Sequence, residues 1–232
     1  MNIALLRRWL PAGQGTLLKT DLFDEAVGSG LYPELASRVR EVAGVDVSAA
    51  AVQAVTERYP DLDARVADVL ELPFADASFD VVVSNSTLDH FKTHAMLRRA
   101  HAELARVLRP GGELIITLDN RENPIVALRT SPSLDSIQRR LGIVPYFVGA
   151  THGTRGLLAL LRSTGFDVTE VTTIMHCPPQ LAARIAARRD PGNDQPALMG
   201  RHLRRVLRYE ALGRWPTRRL TGHFVAARAR KL

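Results

Sequence analysis

LFDEAVGSGLYPEL, from Leu22 to Leu35, decides the fold once it is read together with three segments downstream of it. Sixteen residues after Gly30, the run VAGVDVS (Val42–Ser48) carries Asp46 at the end of an apolar segment. Then ARVADVLELPFADASFDVVVSNSTLDHF (Ala64–Phe91) leads toward LRPGGELIITL (Leu108–Leu118). Glycines allow the backbone to approach a ligand closely. A carboxylate at the end of the next strand can accept from both hydroxyls of a ribose. Asp46 stands at that place, and Asp68 closes the third β-rich run.

From Thr16 to Leu118, short β-rich runs alternate with helical patterns, which reads as a doubly wound parallel sheet. Strands are expected at Thr16–Phe23, Glu41–Asp46, Ala64–Ala67, Phe79–Ser84 and Gly112–Leu118, and helices at Tyr32–Arg40, Ser48–Arg58 and Thr93–Leu108. Ser48 is placed to cap its helix. Pro110 and the Gly111–Gly112 pair end the long helix and turn the chain into the fifth strand.

After Leu118 the pattern changes. Asp119–Ala150 contains prolines and a short helical pattern at Leu134–Leu141, which reads as an insertion over the sheet edge. Thr154–Ser163 reads as a helix, Gly165 as its cap and Phe166–Met175 as a strand. A second insertion, Pro178–Leu220, carries two arginine-rich helical patterns around DPGNDQP, and GHFVAARAR alternates like a terminal strand. The expectation is one domain over 1–232, with core 16–119, 153–176 and 221–231, and cap insertions at about 120–150 and 178–220.

The 232 residues are 46% hydrophobic and 24% charged, a globular balance with no sign of disorder. No apolar run approaches the roughly 20 residues that span a bilayer. The opening MNIALLRRWLPAG is too short and too basic for a signal segment. Cys177 is the single cysteine, which fits a reducing compartment, so a cytoplasmic location is expected. The net charge of +7 is mostly arginine and thickens toward the C-terminus: Arg184, Arg188, Arg189, Arg201, Arg204, Arg205 and Arg208. Such a face could meet phosphates, but no aromatic residues interleave with it as on a base-stacking platform. A solvated helix face is the favoured reading, and nucleic acid is not the expected partner.

The first loop admits two registers. If LFD ends the strand, Asp24, Ala26, Gly28 and Gly30 overlie an acidic-x-G-x-G-x-G pattern with alanine at the first glycine. If KTD ends it, Asp21 takes the acidic place and the loop is longer. In either register Gly28-Ser29-Gly30 precedes a helix and can offer backbone donors. The dinucleotide fingerprint fails because Pro33 occupies its third glycine position, which argues against a pyrophosphate-bearing cofactor.

Taken together, Leu22–Leu118 resembles the class I S-adenosylmethionine-dependent methyltransferase family, and LPFADASFDVVVSNSTLDHF is similar to the branch that modifies small molecules such as quinones and natural products. The resemblance implies a Rossmann-like α/β fold with a seven-stranded, mostly parallel sheet, its last strand antiparallel. It also implies S-adenosyl-L-methionine at the C-terminal strand edge. By that likeness Asp46 and Val47 hold the ribose, Asp68 and Val69 the adenine, and Ser84 and Asn85 flank the cofactor. Gly28 and Gly30, with Asp21 or Asp24, form the first loop, whose backbone takes a different turn at Ala26.

The resemblance also implies methyl transfer, most readily to a hydroxyl of a small molecule. His90, just past the fourth strand, is the candidate base because histidine titrates near neutrality, and Asp89 could orient it. Asn120, Arg121 and His152 lie where the insertions should meet an acceptor. One cysteine and no paired histidine spacing give no metal site. Two alternatives remain: an RNA methyltransferase using the basic cap, and a cofactor-binding regulatory subunit without catalysis. No N-P-P-[FY]-type tetrapeptide follows the fourth strand, where SNST stands, and this weighs against the first.

Overall fold

The computed structural model describes residues 3–10, 13–131, 149–178, 181 and 206–232. Seven strands are present: β1 (Gln14–Lys19), β2 (Val39–Asp46), β3 (Asp63–Val66), β4 (Phe79–Asn85), β5 (Leu108–Asp119), β6 (Phe166–Ile174) and β7 (Phe224–Lys231). They form one sheet in the order β3-β2-β1-β4-β5-β7-β6. β1 to β5 pair in parallel, whereas β7 runs antiparallel to both β5 and β6. The parallel part of this sheet is the doubly wound arrangement expected from the alternation of strand and helix patterns, and the seven strands with an antiparallel last strand are those the family resemblance implies. Its strand order places the ends of β1, β2 and β4 side by side, and sheets of this kind bind ligands at that edge.

The central strands β1, β4 and β5 are buried on both faces, as parallel sheets require, whereas the edge strands β3 and β6 are partly exposed. Successive residues alternate between two cores. Leu17, Val81, Val83 and Ile115 face α1 (Ile3–Trp9), α3 (Tyr32–Ala36) and α4 (Ala49–Arg58). Leu18, Val82, Leu114 and Ile116 face α5 (His94–Val107) and α7 (Thr154–Ser163). On α5 the buried Leu97, Ala100, His101, Leu104 and Val107 follow helical spacing, and the Thr93 side chain caps the helix by accepting from Met96 N at 3.2 Å. Ser48 does the same for α4, accepting from Ala51 N at 3.2 Å. Three shorter helices, α2 (Phe23–Val27), α6 (Pro124–Arg129) and α8 (Arg218–Thr221), lie in the connections.

Three expected boundaries shift by four residues, the others by no more than two. The strand expected through Phe23 stops at Lys19, because Asp21 Oδ1 accepts from Phe23 N at 3.0 Å and turns the chain into α2. The helix expected to Arg40 stops at Ala36, where Arg38 folds back onto Glu34 and the Leu10 carbonyl. β5 starts earlier, at Leu108, because its first residues pair with Phe79 across a register shift. The helical pattern at Leu134–Leu141 and the arginine-rich patterns through Arg184–Arg205 lie outside the described residues. Among the described residues no helix is long and apolar enough to cross a membrane.

Candidate functional site

Beyond the ends of β1, β2 and β3 lies a cleft of about 310 Å³ lined by Thr20, Asp21, Asp46, Val47, Ala67, Asp68, Val69, Thr87, His90 and Phe91. Asp46 lines it at the end of β2. Oδ2 accepts from Leu22 N at 3.0 Å and Oδ1 from Ser48 N at 2.8 Å, so one carboxylate ties the turn after β1 to the entry of α4. Four lone-pair sites on a carboxylate leave room for two more donors. Val47 is 71% exposed at the rim. Asp68 Oδ1 accepts from Leu70 N at 2.9 Å, which turns β3 so that the buried Val69 forms part of the wall.

The glycine pair lies elsewhere. Neither Gly28 nor Gly30 lines this cleft. Their loop is held by Arg58, which donates to the Glu25 carbonyl at 2.6 Å and to the Gly28 carbonyl, and by Tyr59 Oη, which donates to Ser29 O at 3.1 Å. Asp24 also lies off the cleft, on the exposed face of α2, where its carbonyl accepts from Gly28 N at 2.9 Å. The register with Asp21 just past the strand is the one observed, and Ala26 is helical. A buried ion pair explains the arrangement. Lys19 Nζ meets Glu25 Oε2 at 2.8 Å with side-chain exposures of 1% and 0%, and also donates to the Asp21 carbonyl. Glu25 Oε1 accepts from Leu31 N at 2.8 Å and Tyr32 N at 3.1 Å. Gly30 is required here: its φ is +56°, and a Cβ would lie 2.4 Å from the Glu25 carboxyl. Gly44 is needed too, since a Cβ there would meet Leu22 at 2.6 Å. Asp21 is left at the cleft wall with its pKa raised, chiefly by burial.

The turn after β4 brings in the remaining groups. Ser84 is buried behind Thr20, whose Oγ1 lies 3.0 Å from Ser84 Oγ and 3.1 Å from Thr87 Oγ1. Asn85 Oδ1 accepts from Thr117 Oγ1 at 3.0 Å. Ser86 takes a left-handed φ of 53°, an arrangement that costs a serine about 1 kcal/mol. That kink aims the 3₁₀ turn Leu88–His90 at the cleft. Asp89 is buried; its Oδ2 accepts from Asp119 N at 2.9 Å and Ser86 Oγ at 3.0 Å, and its Oδ1 lies 3.9 Å from His90 Nε2. His90 is half exposed, at 52%.

Behind Asp89 is a group that sequence reasoning misses. Asp119 is buried, paired with Arg129, and its Oδ1 lies 3.5 Å from His223 Nε2. Burial, with Asp89 adding to it, raises its pKa to about 6, while burial lowers that of His223 to about 4. Below pH 4 Asp119 is protonated in both the folded and the unfolded chain. Between about 4 and 6 the unfolded chain loses that proton first, so at Asp119 the folded state binds more protons and this residue's contribution to stability falls as pH rises, while the lowered His223 acts in the opposite sense over the same range. Asp119→Asn should abolish on the order of 2–3 kcal/mol of that decline. Unfolding midpoints of both proteins from pH 4 to 7 check this; parallel curves would show that Asp119 does not carry the effect.

Of the acceptor-side candidates, Asn120 is committed to structure. It is buried, its Nδ2 donates to the carbonyls of Arg219 at 2.7 Å and Gly222 at 2.9 Å, and its Oδ1 accepts from Glu122 N at 3.0 Å. Arg121 is exposed, and His152 is half-buried and stacked on His94.

Residues 23–116 match a family described as a methyltransferase domain. A probable S-adenosylmethionine-dependent methyltransferase of Mycolicibacterium smegmatis is 32% identical over 157 residues, 67% of this chain and 55% of that protein. One from Mycobacterium tuberculosis is 33% identical over 184 residues, 72% of this chain and 66% of that protein. The chain thus spans between 55% and 66% of the length of these relatives. A probable tRNA methyltransferase 9B of Homo sapiens is 40% identical over 93 residues, 40% of this chain and 20% of that protein. Among solved structures, a geranyl diphosphate methyltransferase in complex with S-adenosylmethionine shares the fold with a TM-score of 0.63 at 16% identity, over 99% of this chain and 84% of that one. With acidic residues closing β2 and β3 beneath such a fold, the chain belongs to the class I S-adenosylmethionine-dependent methyltransferase family.

Proposed function

We propose that the chain transfers a methyl group from S-adenosylmethionine to a hydroxyl of a small molecule. The observation that carries this reading is the meeting of Asp46, Asp68 and His90 around one cleft. The residues there fit the cofactor. Asp46 retains acceptor capacity for ribose hydroxyls, Val47 and Val69 with Ala67 and Phe91 offer apolar contact to a flat ring, and Asp21 can accept from an ammonium group.

When bound, S-adenosylmethionine supplies a methyl group already activated on a sulfonium. The chain's own task is to hold the acceptor oxygen in line and to take its proton. His90 receives that proton. Asp89, anchored through Oδ2 to Asp119 N and Ser86 Oγ, holds Oδ1 3.9 Å from Nε2 and so steadies the imidazolium that forms.

A tritiated-methyl assay against a panel of phenols and small alcohols, with total tRNA in a parallel arm, tests the reading. Transfer to small hydroxyls supports it. Transfer confined to tRNA would favour the reading suggested by the tRNA methyltransferase likeness, and a folded, cofactor-binding protein that methylates neither would be a non-catalytic subunit. Asp46→Ala should weaken S-adenosylmethionine binding by about 1–3 kcal/mol, because the ribose hydroxyls lose their acceptor. Isothermal titration of wild type and variant measures this; equal affinities in two folded proteins would remove the ribose role.

A further inference from the structure

A corner beside this cleft is built from basic side chains. Residues 149–152 lie across the loops after β4 and β5. Gly149 N donates to Asp89 O at 2.6 Å, Ala150 N to Phe91 O at 2.7 Å, and Arg121 N to His152 O at 3.5 Å. Thr151 Oγ1 donates to the Asp119 carbonyl. The crossing segment seats the His152 ring against His94, the first residue of α5, with centroids 4.6 Å apart and planes at 28°. Arg98 and His101 follow at i+4 and i+7 from His94, on the same face of α5. His101 is fully buried, and its Nε2 has no hydrogen-bond partner.

The charge of this corner is unbalanced. Arg7, Arg38, Arg106, Arg109 and Arg228 each hold a carboxylate. Among the described residues Arg98 and Arg121 hold none. Both lie close enough to His152 to lower its pKa, together with burial, the largest cause, and His94. The acidic neighbour is Glu122, whose Oε2 accepts from Thr154 Oγ1 at 3.2 Å. The stacked His94 and His152 rings thus have Arg98 one turn along α5 and Arg121 on the neighbouring strand-end loop, and guanidinium groups bind carboxylate or phosphate through paired hydrogen bonds. No group of three His, Cys, Asp or Glu among the described residues could hold a metal ion.

We propose that His94, Arg98, Arg121 and His152 form a site for an anionic group, carboxylate or phosphate, on the methyl acceptor. His94 follows Phe91 of the cleft wall by three residues, a reach of at most about 11 Å. An acceptor of modest size therefore spans from this corner to His90. Assigning the anion to the acceptor rests on the methyl-transfer reading; the existence of the anion site does not.

The probe is inorganic phosphate, titrated at constant ionic strength and read from the His94 and His152 ring resonances. The expected result is a saturable shift of both rings with a millimolar or tighter dissociation constant. Arg98→Gln/Arg121→Gln should weaken it at least tenfold, as expected when charge-assisted hydrogen bonds are lost, while S-adenosylmethionine affinity stays the same. No saturable shift, or an unchanged one in the folded double variant, overturns the site. Mixed RNA that displaces phosphate, with affinity falling by orders of magnitude between low and moderate salt, would make the corner part of a polyanion surface and overturn the small-acceptor assignment. In the turnover arm, a hydroxybenzoate should exceed its neutral methyl ester in kcat/KM by roughly tenfold or more, and the double variant should erase the preference. Equal use of acid and ester overturns the acceptor assignment. Failure to methylate either, with phosphate binding intact, counts against the methyl-transfer reading and leaves the anion site standing.

Discussion

Glu25→Ala is expected to lower the unfolding free energy by about 3–5 kcal/mol. Glu25 and Lys19 are both shielded from water, and the carboxylate serves three donors: the ammonium and the backbone N–H groups of Leu31 and Tyr32. Its removal leaves a buried cation with one carbonyl and two orphaned amides. Lys19→Met/Glu25→Leu should recover part of the loss, because an apolar pair of similar volume carries no charge into the interior. Urea unfolding of the three proteins makes the comparison. A loss under about 1 kcal/mol for the single variant would mean that water reaches the pair and that it does not organise the first loop.

His90→Ala is expected to lower turnover on the order of 100-fold while leaving cofactor affinity nearly intact. His90 borders the cleft from the β4 side, whereas the acidic groups proposed to hold the cofactor come from β2 and β3. Asp89→Asn should reduce turnover less and shift the acid limb of the pH–rate profile, since Asp89 acts through the imidazole. Loss of that limb in His90→Ala distinguishes a base from a packing residue. Turnover within a few-fold of wild type would assign the histidine to structure.

The sheet is legible in the sequence because its signals are local. Apolar runs of strand length alternate with helical spacing, and Ser48 and Thr93 punctuate them, whereas the turn expected at Pro110–Gly112 lies inside β5 at its register shift. Asp46 and Asp68 are legible for the same reason, each closing a β-rich run. The first loop is legible only as two alternatives. What decides between them is the meeting of Lys19 with Glu25, and neither residue type announces burial, since both usually remain in water. The glycines therefore draw attention to Gly28 and Gly30, and at Gly30 the missing side chain makes room for the Glu25 carboxyl. Asp119, Arg129 and His223 escape a sequence reading because they come together only when β7 returns beside β5. Asn120, expected to face the acceptor, instead contacts the Arg219 and Gly222 carbonyls, and those contacts are likewise long-range.

Hydrogen exchange read by mass spectrometry, with and without saturating S-adenosylmethionine, tests most directly where the cofactor binds. A bound ligand slows exchange at amides whose opening it opposes. Protection is expected at 20–22, 46–48, 67–70 and 87–91, which border the cleft, with exchange at 28–30 unchanged. Unchanged exchange at 46–48 and 67–70 under saturation, or protection centred on 28–30, would contradict the assignment.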